Sequence, residues 1–294
     1  MFIFDEDKVI EKFCLVDDFC IEFAQLEAKA IFPCFSYPKN TPNLSQSEII
    51  TILILYHQSD YKNFKAYYNK FVLKALKSYF PGLVSYSRFL TLMKRVLLCI
   101  MGLMKMLCLA AGRNGIYFVD ATKLEVCDNH RIKQHKVFQD IAKSGKTSMG
   151  WFFGLKLHLV TNELSEIVAF KITTGNIADN NHDVLKQLFY RLEGKVFGDR
   201  GYLSKLFEDF VQKGLQIVAK LKTKTKKKIG TAVVDSVDIL FSNKRSIIET
   251  INDILKHSCD IWHTRHRSPI NAIIHLVAGL ISYQMKEDKP NIFI

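Results

Sequence analysis

The sequence predicts an α/β fold in which a mixed β-sheet is flanked by helices and follows an all-helical N-terminal region. Apolar residues recur at helical spacing through residues 1–112. From residue 116 onwards, short apolar runs and alternating patterns replace that spacing. Helical patterns separate the later runs, and strands with interspersed helices favour a mixed sheet covered by helices.

The helices of the N-terminal region are predicted from their boundaries as well as their spacing. Ser45 is followed three residues later by Glu48, which matches a capping box, so we expect a helix to begin near Ser45. Two further helical patterns cover about 63–79 and 87–111, and a Pro-Gly pair separates them. The breaker cluster Gly-Arg-Asn-Gly at 112–115 then predicts a boundary.

That boundary divides the chain into a helical domain, 1–112, and a sheet-containing domain, 113–294. The predicted strands of the second domain cover 116–120 (with alternation continuing to 128), 151–160, 167–174, 195–199 and 215–221. Its predicted helices cover 180–192, 203–214, 245–256 and 268–284. The last of these begins with Ser268 as N-cap and Pro269 in the first turn, which is typical of a helix start.

The charge of the chain favours a polyanionic partner. The formal net charge is +12, from 41 Lys and Arg against 29 Asp and Glu. Nucleic acid is the first partner that such an excess indicates, and an anionic membrane the second. The longest apolar run is far shorter than the roughly 20 residues that cross a membrane. Seven widely spaced cysteines predict reduced thiols, so we expect a cytoplasmic protein without a membrane segment.

Three acidic residues stand where a catalytic site is expected. Asp120 closes the apolar run IYFV, and Asp199 closes the run KVFG. Functional groups in α/β sheets cluster at strand ends, so the two carboxylates converge if the first and fourth predicted strands are neighbours. Glu249 would then approach from the helix packed beside them. Taken singly, such an aspartate is more often a turn former and such a glutamate more often solvated.

Converging carboxylates indicate divalent metal ions, because they repel one another unless cations neutralise them. Oxygen ligands suit Mg²⁺ or Mn²⁺, and two such ions can promote an in-line displacement at phosphorus. Four other aspartates are interpreted as decoys, the last two as helix caps: Asp128, Asp140, Asp179 and Asp183. Basic residues that could hold a nucleic-acid backbone are Arg131, Lys133, Lys136, Lys143, Lys146, the lysine run at 222–228, Arg265 and Arg267.

With these residues in place, the chain resembles bacterial insertion-sequence transposases of the DDE class, whose catalytic domain is ribonuclease H-like. The resemblance is clearest over 116–283 and rests on two blocks. One is GDRGY at 198–202, and the other is R-x3-E-x6-K, formed by Arg245, Glu249 and Lys256.

The resemblance implies roles for individual residues. Asp120, Asp199 and Glu249 are the expected catalytic residues and the expected ligands of two Mg²⁺ or Mn²⁺ ions. Some relatives carry a tyrosine three residues before the arginine of the second block, where this chain has Ser242. In related transposases the arginine and lysine that flank the glutamate contact DNA, which implies this role for Arg245 and Lys256. The basic residues that we also expect to contact DNA are Arg131, Lys133, Lys136, Arg200, Arg265 and Arg267.

The expected activity is cleavage of element ends and transfer of the 3′-OH strand to target DNA by two-metal phosphoryl transfer. The expected partner is double-stranded DNA, bound by a homodimer, with 1–112 recognising the element ends and the protein nucleoid-associated when DNA-bound. Two alternatives stay open: a ribonuclease H-like nuclease without strand transfer, and a non-catalytic DNA-binding protein. A structural zinc through Cys127 and His130, or through Cys259 and His263, is a weaker alternative because the cysteine pairs of a strong signature are missing.

Overall fold

The structure is a computed structural model that describes residues 5–29, 43–147, 150–202, 214–219, 236–261 and 266–291. The chain divides into two compact units. The first, which is helical, joins Met1–Met106 with Leu255–Met285, and the second joins Leu107–Ile254 with Lys286–Ile294. The helical unit therefore includes a C-terminal segment that the sequence prediction had assigned to 113–294.

The helices of the helical unit begin where the predicted caps stand. In the capping box, the Glu48 amide donates to Ser45 Oγ at 3.0 Å and the Ser45 amide donates to Glu48 Oε2 at 2.7 Å. Ser268 likewise accepts from the amide of Asn271, as predicted. The helices are α1 Glu6–Lys29, α2 Gln46–Gln58, α3 Phe64–Tyr67, α4 Leu73–Ala75, α5 Tyr86–Met93 and α6 Leu97–Ala110, the last shared with the second unit, and Pro269–Gln284 near the C-terminus.

Two histidines are enclosed in the core of the helical unit. His57 Nδ1 lies 2.6 Å from the carbonyl oxygen of Cys259, and because a carbonyl oxygen only accepts, this nitrogen carries the proton. His57 Nε2 is then free to accept from His275 Nδ1, 3.4 Å away. Burial lowers the pKa of His57 to about 4 and that of His275 well below 6.5, so both rings are neutral at pH 7.

Acidification is expected to destabilise the protein through these histidines. The folded pKa of His57 lies below its ordinary 6.5, so the unfolded chain binds a proton that the folded chain excludes. This contribution is complete above about pH 6.5 and is lost as the pH falls towards 4, by about 3 kcal/mol for His57. The free energy of unfolding in urea, measured between pH 7.5 and 4.5, tests this. His57→Gln should reduce the change of the unfolding free energy with pH. His182 is a partly exposed histidine of the other unit, and His182→Gln serves as the control that should keep this pH dependence. The same pH dependence in the natural chain and in both variants would contradict the prediction.

The second unit is built on a six-stranded mixed sheet. β1 pairs antiparallel with β3 and parallel with β5, β5 pairs parallel with β6, and both β2 and β4 pair antiparallel with β3. The mixed sheet with its flanking helices confirms the predicted α/β fold class. The strands are β1 Ile116–Cys127, β2 Lys143–Thr147, β3 Gly150–Asn162, β4 Ile167–Thr174, β5 Gly194–Gly198 and β6 Leu215–Ala219.

Helices cover both faces of this sheet. On one face, α7 (His182–Leu188) buries Leu185 and Leu188 against Val119 and Val196. On the other face, the rings of Phe118 and Phe197 lie 5.8 Å apart. The helices on that side are α8 (Ser236–Lys244) and α9 (Ser246–Asp253), followed by a π-helical turn at Ile254–Ser258; the C-terminal helix Pro269–Gln284 is α10.

Some predicted elements differ from the structure or lie outside the described residues. The predicted cap positions Asp179 and Asp183 are wrong, because Asn181 is the N-cap of α7 and accepts from the amide of Val184. Strand β2 was not predicted. The predicted helix at 203–214, apart from its last residue, and the lysine run at 222–228 lie outside the described residues. None of the helices in the described ranges combines the length and hydropathy that a membrane crossing requires.

Candidate active site

The pairing of β1 with β5 brings two of the predicted acids to adjacent positions. Phe118 pairs with Phe197, and Asp120 and Asp199 each follow two residues later. Because side chains alternate along a strand, each aspartate is expected on the same face as the phenylalanine before it. That face is the one covered by α8, whose Phe241 ring lies 5.7 Å from the ring of Phe197.

Helix α9 carries Glu249, the third acid of the site, and is hydrogen-bonded to Asp120, the first. Ile248 and Ile251 are buried, and α9 packs against β1. The spacing of Arg245, Glu249 and Asn252 places these polar residues along one side of the helix. The amide of Asn252, itself buried, donates to Asp120 Oδ2 at 2.8 Å. The helix is therefore tied directly to the end of the predicted catalytic strand.

Arg245 connects the remaining two acids. Its guanidinium lies 3.7 Å from Asp199 Oδ1 and 3.3 Å from Glu249 Oε1. Both carboxylates are largely exposed, whereas the arginine is less so. Each ion pair is therefore worth little in stability by itself. Their main effect is on position: the guanidinium of Arg245 lies between Asp199, which follows β5, and Glu249 on α9, and so holds the two carboxylates near one another.

Burial dominates the electrostatics of Asp120. Burial is the main cause that raises its pKa, to about 6, and the charges of Asp179 and Glu249 raise it further. The amide of Ala121 and the guanidinium of Arg245 act in the opposite direction. A carboxylate that is hard to ionise beside other carboxylates is a place where a bound cation would be strongly stabilising.

The chemistry of these acids fits a divalent cation. Asp120, Asp199 and Glu249 offer the hard oxygen ligands that Mg²⁺ and Mn²⁺ take. In the described ranges, however, no three acidic, histidine or cysteine side chains are close enough to hold a metal together. Arg245 lies between Asp199 and Glu249 instead. Joint metal binding therefore requires Arg245 to give up at least one of its two contacts.

Asp179 joins this site although its position in the sequence indicated a helix cap. Its Oδ1 accepts from the ammonium of Lys156 at 2.8 Å, and the same ammonium donates to the carbonyl of Ile177 at 2.9 Å. The side chain of Lys156 is only 7% exposed. Burial lowers the pKa of His158 to about 4, and the charge of Asp179 partly offsets that shift, as it also contributes to the raised pKa of Asp120. The signal was Lys156 itself, since a lysine inside an apolar strand needs a hydrogen-bonding or acidic partner for its buried ammonium.

Tyr202, the last residue of the GDRGY block, is a second residue that the prediction overlooked. It is 3% exposed, and its hydroxyl has no hydrogen-bond partner in the part of the chain that the structure describes. Burial is the main cause that raises its pKa, and Asp120, Asp179 and Asp199 raise it further. The hydroxyl therefore stays protonated and is a donor close to three carboxylates. A Cβ on Gly198 would lie 2.9 Å from Val119 Cγ1 and 3.1 Å from the Tyr202 ring, which explains the glycine.

The basic residues predicted to bind DNA fall in several parts of the chain. Arg131, Lys133 and Lys136 are exposed and follow the far end of β1. Lys256, in the π-helical turn, and the exposed Arg267 belong to the helical unit. Of Arg200 only the backbone, in a short 3-10 helix, is described, and Arg265 lies outside the described residues. Among the side chains that the structure describes in the sheet unit, Arg245 is a predicted DNA-binding residue that contacts the acids.

The zinc alternative gains no support in the described ranges. Cys127 and His130 belong to no group of three metal-ligating side chains there. Cys259 is buried, and its carbonyl accepts from His57. His263 lies outside the described residues.

Replacing Asp179 by asparagine is expected to lower the pKa of Asp120 from about 6. Removing a nearby negative charge favours ionisation, so the midpoint falls. The measurement is the titration of the Asp120 carboxyl carbon by NMR in metal-free protein. Asp183→Asn is the matched control, because this aspartate is 88% exposed on α7 and does not affect the pKa of Asp120. An unchanged midpoint in Asp179→Asn contradicts the prediction.

Comparisons with known proteins agree with the resemblance noted in the sequence. A family model described as a transposase DDE domain matches residues 110–269, slightly more than half of the chain. No curated protein matches the chain. A crystal structure of the Mos1 mariner paired end complex with Mn aligns over 67% of this chain and 65% of that chain, at 9% identity and a TM-score of 0.22. This chain thus spans less than two thirds of the other chain, and so low a similarity carries no argument about the site.

Proposed function

The chain belongs to the transposase DDE-domain family, and on that premise we propose that it cleaves the ends of a mobile element and joins the freed 3′-hydroxyl to target DNA. One observation carries the proposal. Asp120 and Asp199 follow paired positions on β1 and β5, and α9 brings Glu249 to them through Asn252 and Arg245. Converging carboxylates of this kind are suited to metal-dependent phosphoryl transfer.

The catalytic residues of this proposal are Asp120, Asp199 and Glu249, which would hold two Mg²⁺ or Mn²⁺ ions. When bound, the ions activate the attacking oxygen and stabilise the leaving oxygen of the scissile phosphodiester. Asn252 orients the Asp120 carboxylate through its 2.8 Å hydrogen bond. Arg245 neutralises two of the acids in the metal-free chain, and the same guanidinium is suited to hold a phosphate oxygen once it is released.

The partner in this proposal is double-stranded DNA, from element ends and from target. The net charge of +12 supports it, because affinity for DNA rests largely on phosphate neutralisation. We assign recognition of element ends to 1–112 and the handling of two ends to a homodimer formed on DNA, with the protein at the nucleoid while bound. Arg131, Lys133, Lys136, Arg200, Lys256, Arg265 and Arg267 stay candidate DNA contacts.

The experiment is incubation of the full chain with labelled DNA that flanks its own gene, with Mg²⁺ or Mn²⁺. We expect nicks at the element ends and joined products, and we expect neither with EDTA. Asp199→Asn should lose both, whereas Asp140→Asn, an exposed aspartate outside the site, should keep both. Cleaved products without joined ones would favour the nuclease alternative. Specific binding without any cleavage would favour the non-catalytic DNA-binding protein.

A further inference from the structure

An exposed tryptophan stands at the start of β3. Trp151 is 63% exposed, although burying its ring would contribute about 2 kcal/mol or more to stability. Its neighbours along the strand, Phe152 and Phe153, are 1% and 7% exposed. The strand therefore buries two aromatic rings and leaves the largest outside. Tryptophan is among the residue types that are enriched at binding interfaces relative to the rest of the surface.

The ring is held in place by both neighbouring segments. Lys146 on β2 is the direct cross-strand partner of Trp151, and its ammonium lies 5.8 Å from the ring centroid. This distance is within the range of a cation–π contact. On the other side, the amide of Asn129 donates to the carbonyl oxygen of Trp151 at 2.8 Å. The backbone that carries the ring is thus tied to β2 and to the 3-10 helix that begins at Asn129.

The same two segments carry a concentration of positive charge. Residues 129–146 hold five exposed basic side chains and one exposed acid, Asp140. Cations beside an exposed aromatic ring form the combination that binds single-stranded nucleic acid, because the ring stacks on a base and the cations meet the phosphates. The basic side chains are Arg131, Lys133, Lys136, Lys143 and Lys146.

We propose that Trp151 stacks on an unpaired base of a DNA strand while these basic side chains hold its phosphates. The inference rests on the proposed function and adds a separate contact to it. Leu159 of β3 pairs with Asp120, and Trp151 lies eight residues before Leu159. At 3.3 Å per residue this is about 26 Å, or roughly eight base pairs along duplex DNA. Trp151 therefore contributes to affinity and to the path of the strand, and it takes no part in the reaction itself.

The test is binding of the full chain to a labelled 20-nucleotide oligothymidylate and to a duplex of the same length, by fluorescence anisotropy without divalent metal. Trp151→Ala should weaken single-strand binding about 5- to 150-fold, the range for loss of one stacked base. Trp151→Phe should keep most of the affinity. Duplex binding should change less than about twofold, because a paired base offers no free face to the ring.

The chain offers a matched control in Tyr190. This tyrosine is 66% exposed, with Arg191 5.2 Å from its ring, and it lies outside the basic segment 129–146. Tyr190→Ala should leave both affinities unchanged. A variant that combines Lys133→Ala, Lys136→Ala and Lys143→Ala should bind both single-stranded and duplex DNA more weakly. The salt dependence of binding should also fall, since these lysines contact phosphates.

A second readout follows Trp151 directly. The chain has two tryptophans, so in a Trp262→Phe variant the fluorescence comes from Trp151 alone and should be quenched by the oligothymidylate. Equal losses for single and double strands in Trp151→Ala, no loss at all, or the same loss in Tyr190→Ala would overturn the inference. A chain that binds single strands through Trp151 but never cuts DNA would contradict the proposed function and leave this inference standing.

Discussion

Asp120→Asn should abolish metal-dependent DNA cleavage, with a loss of about 10³-fold or more. The substitution keeps the size of the side chain but removes the charge that would hold a divalent ion, and such an ion contributes several kcal/mol to transition-state stabilisation. The hydrogen bond from Asn252 at 2.8 Å can be kept, because the asparagine at 120 still offers a carbonyl oxygen. The measurement is the single-turnover cleavage rate on flanking DNA with Mg²⁺.

The same variant should be more stable than the natural chain at pH 7. The folded pKa of Asp120 is raised from 3.8 to about 6, so keeping it ionised in the fold costs up to about 3 kcal/mol at pH 7. This cost disappears as the pH falls through 6 towards 4, where the carboxyl is neutral in the fold. Asp120→Asn should therefore raise the free energy of unfolding at pH 7, and the gain should vanish near pH 4. Asp140→Asn is the control for both the cleavage rate and the free energy of unfolding. If Asp120→Asn kept its cleavage activity or lost stability at pH 7, Asp120 would not be a buried catalytic carboxylate.

Ile251→Ala should destabilise the sheet unit by about 2–5 kcal/mol, the usual range for removing a large aliphatic side chain from a core. Ile251 is fully buried on α9, the helix that packs on β1. Because α9 also carries Glu249 and Asn252, loosening it should lower the cleavage rate as well. Urea unfolding measures the stability, and the single-turnover rate measures the second effect.

Thr250→Ala is the matched control for this substitution. Thr250 is the preceding residue of α9 and is exposed. Its replacement should change the free energy of unfolding by less than about 0.5 kcal/mol, as surface substitutions usually do. If Ile251→Ala were as mild as Thr250→Ala, α9 would not depend on this packing.

The strand end before Asp199 was predictable because a run of apolar residues precedes it, whereas Asp120 follows a similar run but lies inside β1, which continues to Cys127. The pairing of β1 with β5 was not predictable, since neither run specifies its neighbour; the prediction could state it only as a condition. Strand β2 was missed because KSGKT has a single buried residue, Gly145, and hence no hydrophobic alternation. The predicted helix at 245–256 also proved to follow another helix, α8, which the sequence pattern did not separate from the lysine-rich connection.

Asp179 shows the limit of local rules most clearly. An aspartate shortly before a helix is a reasonable cap, and a few residues of sequence cannot distinguish Asp179 from Asn181. The buried ammonium of Lys156 decides between them, and it comes from a strand more than twenty residues earlier in the chain. The same holds for Tyr202, which follows Asp199 by one turn but comes under the influence of the Asp120 charge only because β1 and β5 lie side by side.

The sequence by itself determined the fold class, the capping box at Ser45, the excess of positive charge and the three acids with their flanking arginine. These follow from periodicity, local hydrogen-bonding capacity and residue chemistry, which act over a few neighbouring residues. Only the tertiary structure decided that Arg245 lies between Asp199 and Glu249, that Asp179 is drawn to Lys156 and that Trp151 stays outside beside Lys146. Those outcomes depend on which distant segments share one sheet. Burial and Coulomb energies depend on the distances between side chains, and only the packed tertiary structure sets those distances.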